Sequence, residues 1–203
     1  MSHPGNIPGA SARALPAPSG SALLVIDCQR AFTDPTGRTA VPRAREAVAR
    51  IADLMLGFRA AGLPVSATRH AHMTAPGPGG MGSWWRSFVM EGTPAAELDH
   101  RLDPSLIDFV VVKQRYSAFN STPLDGLLRS RGVSSLVICG FQTHICVEST
   151  AREAFDAGFD VVLVPEACGS ADPRLHEAAV ACMSHALALC APVREVLEWL
   201  KRT

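Results

Sequence analysis

The chain alternates short, wholly apolar runs with longer stretches whose apolar positions recur every three or four residues. Short apolar runs read as buried strands, and the three-to-four spacing reads as helices lying over them. Ser21 to Ile26 (SALLVI) is the first such run, and it stops at Asp27. Val41 to Ala61 has helical spacing, with Val48, Ile51, Leu54, Met55 and Phe58 on one face and Gly62 as its stop signal. Leu63 to Thr68 predicts a second strand, Asp108 to Val112 a third that ends at Lys113, and Thr122 to Arg131 a helix closed by Gly132. Ser135 to Cys139 predicts a fourth strand with a helix behind it to about Ala157, and Asp160 to Val164 a fifth. A helix from about Pro173 to Leu189, a short strand near Pro192 and a last helix to Leu200 complete the pattern. This alternation predicts a three-layer α/β/α fold around a mainly parallel, Rossmann-like sheet of about six strands.

A length of 203 residues suits one core. The division expected is a flexible N-terminal arm over residues 1–20, able to drape over a partner subunit, and one domain over 21–203. The arm is rich in Pro, Gly, Ser and Ala and has no apolar stretch of the kind a signal peptide needs. No run approaches the ~20 apolar residues of a membrane span, so no membrane association is expected and the location expected is cytoplasmic. Nineteen basic residues balance nineteen acidic ones, and no basic stripe interleaves with aromatics. No nucleic-acid partner is expected. The six cysteines show no zinc-knuckle spacing, and most read as small buried hydrophobes.

The irregular stretch from Ala71 to Leu102 is Gly- and Pro-rich yet carries Trp84, Trp85 and Phe88. A loop this long in a compact domain is often functional. Three large aromatics within it are expected to pack on something, whether the chain's own pocket or a neighbouring subunit.

Three ionisable residues share one structural place. Asp27 follows the first strand, Lys113 ends the third, and Cys146 opens the helix after the fourth. The carboxyl edge of an open parallel sheet is where ligands bind, so carboxylate, ammonium and thiol are expected to meet there. A free thiol titrates near ~8.5, and a helix N-terminus and a nearby Lys both favour the thiolate. Asp27 can take the thiol proton and return it to a leaving nitrogen, while Lys113 holds Asp27 and balances its charge. Taken singly, Asp27 reads equally well as a cap or turn residue and Lys113 as a solvated strand end, and a lone Cys at a helix start is more often inert than catalytic.

The segment Asp27-Cys28-Gln29-Arg30-Ala31-Phe32 resembles the D-x-Q-x-x-F opening of isochorismatase-like hydrolases. Lys113 to Phe119 (KQRYSAF) is similar to their K-x-R-Y-S-A-F block, and Cys139 to Val147 (CGFQTHICV), continued by Thr150-Ala151, to their nucleophile loop. Gly92-Thr93 with Glu97 resembles a further stretch of the family. The resemblance runs from Ser21 to about Leu200. It implies a catalytic triad of Asp27, Lys113 and Cys146, an oxyanion hole from the N–H groups of Gln142 and Cys146, and a cis peptide joining Phe141 to Gln142. It also implies that subunits associate, as a homodimer or homotetramer. The activity expected is hydrolysis of a small amide, ureido or N-carbamoyl substrate through a thioester-type intermediate, without a cofactor, as in N-carbamoylsarcosine and ureidoacrylate amidases. The alternatives are vinyl-ether hydrolysis of the isochorismatase type, which needs no thiol, and a catalytically silent binding protein on the same fold.

Two departures from the family pattern stand out. His144 occupies a position where many relatives carry Asp or Asn. The nicotinamidase branch uses a D-x-H metal motif after its second strand, where this chain has His70-Ala71-His72. His70 and His72 are read as facing opposite sides of the extended chain, so no metal site is expected. Phe32, Arg69, Trp84, Trp85, Tyr116, Phe119 and His144 are the candidates for a substrate pocket, and Arg86 and Arg115 are further candidate grips for a carboxylate.

Overall fold

The structure is a computed structural model and describes residues 14–37, 39–75, 80–85 and 87–202. Six strands form one sheet in the order β3-β2-β1-β4-β5-β6, and every pair is parallel. They are β1 Ser21–Ile26, β2 Val65–His70, β3 Phe109–Lys113, β4 Ser135–Phe141, β5 Asp160–Gly169 and β6 Leu189–Cys190. β1 and β4 lie in the middle, and every residue of both is buried, which is what their uninterrupted apolar runs dictate.

Helices α2 (Ala44–Ala60) and α7 (Val193–Leu200) pack against each other and on the sheet, and α5 (Glu148–Asp156) and α6 (Pro173–Ala186) form a second group against β5. α2 turns Val48, Ile51, Leu54, Met55 and Phe58 into the core, and Phe58 meets Trp199 of α7. Shorter helices α1 (Arg30–Thr33), α3 (Met81–Trp84) and α4 (Leu124–Arg129) lie on the connections. Among the described residues no helix is long and apolar enough to cross a membrane.

Several boundaries differ from the sequence reading. β2 runs from Val65 to His70 rather than Leu63 to Thr68. Gly62 at φ 69° and Pro64, which has no N–H to give a ladder, push its start two residues on. β5 continues to Gly169, past an irregularity opposite β4 between Ile138 and Gly140. The arm is not free throughout: Leu15 packs on the core, and Pro16 O accepts the Trp199 Nε1–H at 2.7 Å.

Gly140 is the close-approach point of the sheet. It has φ 120°, and a Cβ there would run into the carbonyl oxygen of Ile26 on β1. Only glycine lets β4 lie this near β1, one residue before Asp27 leaves the sheet.

Candidate active site at the carboxyl edge

Asp27 leaves β1 with φ 45°, a left-handed conformation that Asp adopts more readily than bulkier residues. The Thr68 hydroxyl holds it there, accepting the Asp27 N–H at 3.1 Å and donating to Oδ1 at 2.6 Å. Oδ2 meets Lys113 Nζ at 2.7 Å in a close ion pair. Both side chains are wholly buried. Lys113 Nζ also donates to Arg115 O at 3.0 Å and lies 3.5 Å from His70 Nδ1. Burial works against its ammonium, but the Asp27 carboxylate outweighs this and raises its pKa.

Cys146 sits in a five-residue π-helical turn, Thr143–Val147, which feeds directly into α5. Val147 N–H reaches back to Gln142 O at 3.2 Å. The Phe141–Gln142 peptide is cis. Gln142 N–H has no acceptor among the described residues. Thr150 Oγ1 donates to Cys146 O at 2.7 Å and accepts the Ala118 N–H at 3.0 Å, tying the nucleophile turn to the segment after β3. The thiol is buried, and burial together with Asp27 pushes its pKa up, more than Lys113 lowers it. The thiolate expected from the helix start and Lys113 is therefore not the resting form; the thiol keeps its proton until a base removes it.

His70 and His72 correct the sequence reading. Side chains two apart in a strand share a face, and their Nε2 atoms lie 3.0 Å apart. One ring donates to the other, and Phe88 packs edge-on against His72. Burial, then the Lys113 ammonium, depress His70 to about 4, so it is neutral at physiological pH. Asp27, His70 and Cys146 offer metal-ligating atoms within 4.8 Å of one another. The Lys113 ammonium already occupies the carboxylate of that set, so its charge opposes a resident cation there.

A cavity of about 510 Å³ opens over Cys146. Phe32, Trp85, Phe88, Val89, Ile145 and Leu175 make much of its wall, and Tyr116, His70, Gln142 and His144 also face it. Trp85 Nε1 donates to Tyr116 OH at 2.6 Å. A second, outer cavity of about 1080 Å³ adjoins it through Met81 and Tyr116 and is bounded by Trp84 and Arg115.

Not every pocket candidate reaches the inner cavity. Trp84 is 78% exposed and borders the outer one, so of the two expected packing surfaces the inner pocket does not take it. Arg69, alternating with Thr68 and His70, points to the other face and is held by Glu91 at 2.9 Å and Glu97 at 3.7 Å. Phe119 packs on Phe159 instead. Arg86 lies outside the described residues. Ser170 and Leu175 went unnamed in the sequence reading, and Thr68 was named only as a strand end. Gln29, quoted there only as part of a motif, clamps the end of β2, accepting His70 N–H at 2.7 Å and donating to Ala96 O at 2.7 Å.

The isochorismatase domain matches residues 21–195. The chain belongs to the isochorismatase family. Within that family it is similar to the ureidoacrylate amidohydrolase of Methylobacterium radiotolerans, at 35% identity over 81% of this chain and 73% of that one. A cysteine hydrolase from Pseudomonas syringae pv. phaseolicola shares the fold, with a TM-score of 0.85, 24% identity and coverage of 93% and 96%. The N-carbamoylsarcosine amidase of Thermoplasma acidophilum superposes with a TM-score of 0.75 at 28% identity, over 85% of this chain and 96% of that one. These relatives place the chain with the amidase-like branch of the family and make it an isochorismatase-family hydrolase.

Proposed function

We propose that the protein hydrolyses the C–N bond of a small amide, ureido or N-carbamoyl substrate, with Cys146 as nucleophile and Asp27 and Lys113 as its partners. The observation that carries this reading is the meeting of thiol, carboxylate and ammonium, wholly or almost wholly buried, beneath one apolar cavity. Buried ionisable groups that serve only structure are costly, and their concentration at a cavity points to chemistry.

Asp27 takes the proton from the Cys146 thiol as sulfur attacks the substrate carbonyl carbon. The oxygen of the tetrahedral intermediate draws on the N–H groups of Gln142 and Cys146, where one donor is worth about 2.7–4 kcal/mol. Collapse breaks the C–N bond, and the proton held by Asp27 goes to the leaving nitrogen. Water, deprotonated by the same carboxylate, then releases the acid and restores the thiol. Lys113 keeps Asp27 oriented throughout. The raised thiol pKa supports this order, because a neutral nucleophile needs an adjacent base.

A panel of amides, ureas and N-carbamoyl amino acids, read by ammonia release, tests the proposal. Turnover of at least one class by the wild-type protein, and none by Cys146→Ala, is the expected result. Turnover undiminished in that variant sinks the thioester route, and no turnover of any class by the wild-type protein favours vinyl-ether chemistry. We also propose a homo-oligomer, which the exposed Trp84 and the exposed Val110 and Val112 of edge strand β3 support. Light scattering showing a monomer at micromolar concentration sinks that part.

A further inference from the structure

His144 lies two residues before the nucleophile and on the wall of the inner cavity. Its Nδ1 is 2.8 Å from Ser170 Oγ, and its backbone N–H points to the same oxygen at 3.5 Å. Ser170 is only 3% exposed, and its hydroxyl has no other partner among the described residues. A buried hydroxyl is expected both to accept and to donate. The backbone N–H can only donate, so the hydroxyl proton has one acceptor within reach, Nδ1. A neutral ring that accepts at Nδ1 carries its proton on Nε2. Burial lowers the His144 pKa, which keeps the ring neutral. Nε2 has no partner among the described residues, yet it is not sealed from solvent.

We propose that His144 is a specificity-determining residue: Ser170 locks it as the Nε2–H tautomer, and that N–H donates to an uncharged hydrogen-bond acceptor on the substrate. Around it the wall is mostly apolar, so one fixed donor sets the orientation of a flat or hydrophobic substrate body. The acceptor is an ether, ketone or amide oxygen, because a neutral ring in a mostly apolar wall offers no charge to offset the desolvation of a carboxylate. The proposal rests on the amide-hydrolase reading for the scissile group, but the lock and the donor stand on geometry alone.

Two measurements test it. Nitrogen-15 NMR of the wild-type ring gives the Nε2–H tautomer at neutral pH, and Ser170→Ala shifts the signal towards a mixture. Binding of 3-methoxybenzamide and 3-ethylbenzamide is then compared in the Cys146→Ala protein, where neither is consumed. The methoxy compound binds about 3- to 10-fold more tightly, the scale of one neutral hydrogen bond. Adding His144→Leu removes that preference. His144→Gln, whose amide N–H sits near the position of Nε2, retains it. An Nδ1–H tautomer, equal affinities, no binding of either compound, or a preference that survives His144→Leu overturns the proposal. A preserved preference in a wild-type protein that releases ammonia from no amide instead sinks the amide-hydrolase reading and leaves the donor in place.

Discussion

Strand β3 has an ion pair at each end, and the two pairs have the same length. At its amino end Arg59 meets Asp108 at 2.7 Å, with side chains 42% and 30% exposed. At its carboxyl end Lys113 meets Asp27 at 2.7 Å, and neither side chain is exposed at all. Distance alone does not separate them; solvent does. An exposed pair is worth about 0–1 kcal/mol, because water solvates either partner well without the other. A buried pair recovers its desolvation only through its own contact and any further hydrogen bonds, so removing one partner costs about 3–5 kcal/mol. The open pair serves the local backbone, since Asp108 also accepts the Val65 N–H at 2.8 Å. The closed pair brings a carboxylate, an ammonium and a thiol into one water-poor place, the arrangement that acyl transfer needs.

The largest expected effect breaks the comparison at its chemical end. Cys146→Ala lowers kcat for amide hydrolysis by a factor on the order of 10⁴–10⁶, the scale of a lost nucleophile. Its thermal midpoint stays close to wild type. Activity within tenfold of wild type removes the reason for the buried rim.

Next comes stability. In urea titrations Lys113→Met costs about 3–5 kcal/mol, whereas Arg59→Met costs less than about 1 kcal/mol. Equal costs show that burial does not distinguish the two ends of β3.

A pH series sharpens the contrast at His70, which faces Lys113, Asp27 and His72. Its folded pKa of about 4 lies below the ordinary 6.5. Between these values the unfolded chain binds more protons, so stability rises with pH. This contribution is fully present above pH 6.5 and is lost as pH falls towards 4, with a total on the order of 3 kcal/mol. His70→Asn flattens that part of the stability–pH curve; an unchanged slope shows that the ring does not titrate as described.

The smallest expected effect is a null one. Exhaustive chelation leaves kcat and KM unchanged, because the ammonium already balances the carboxylate that a cation would need. Activity lost on chelation and restored by zinc or manganese makes the paired imidazoles of His70 and His72 a metal site.

The central strands were legible because β1 and β4 are buried on both faces and leave an unbroken apolar run. The placement of Asp27, Lys113 and Cys146 at one edge followed from the parallel order, since each stands at or just beyond a strand's carboxyl end. Contacts that depend on where side chains point were harder to read. Arg69 and His70 are neighbours, yet strand alternation sends one to an outer ion pair and the other to the cavity. The period of two was available to place Arg69 and was not applied to it, and it was applied wrongly to His70 and His72. Ser170 had no local signal: it matters only because the extension of β5 carries it to His144. Trp84 ends the short helix α3 and Trp85 follows it, and no period in the sequence distinguishes Trp85, which lines the inner cavity and donates to Tyr116 OH, from the exposed Trp84.

Gly140 bears on how such a protein can be altered by laboratory evolution. Its contact is with main chain rather than with a side chain that could be trimmed to make room. A substitution there would wedge apart the two strands that deliver Asp27 and the Gln142–Cys146 turn, and no compensating change elsewhere could answer a clash with a carbonyl. The cavity wall is the opposite case, because Phe32, Trp85, Ile145 and Leu175 border open space rather than a neighbouring strand. Libraries at those four positions should yield new selectivities on an intact catalyst, whereas a library at position 140 should return only glycine.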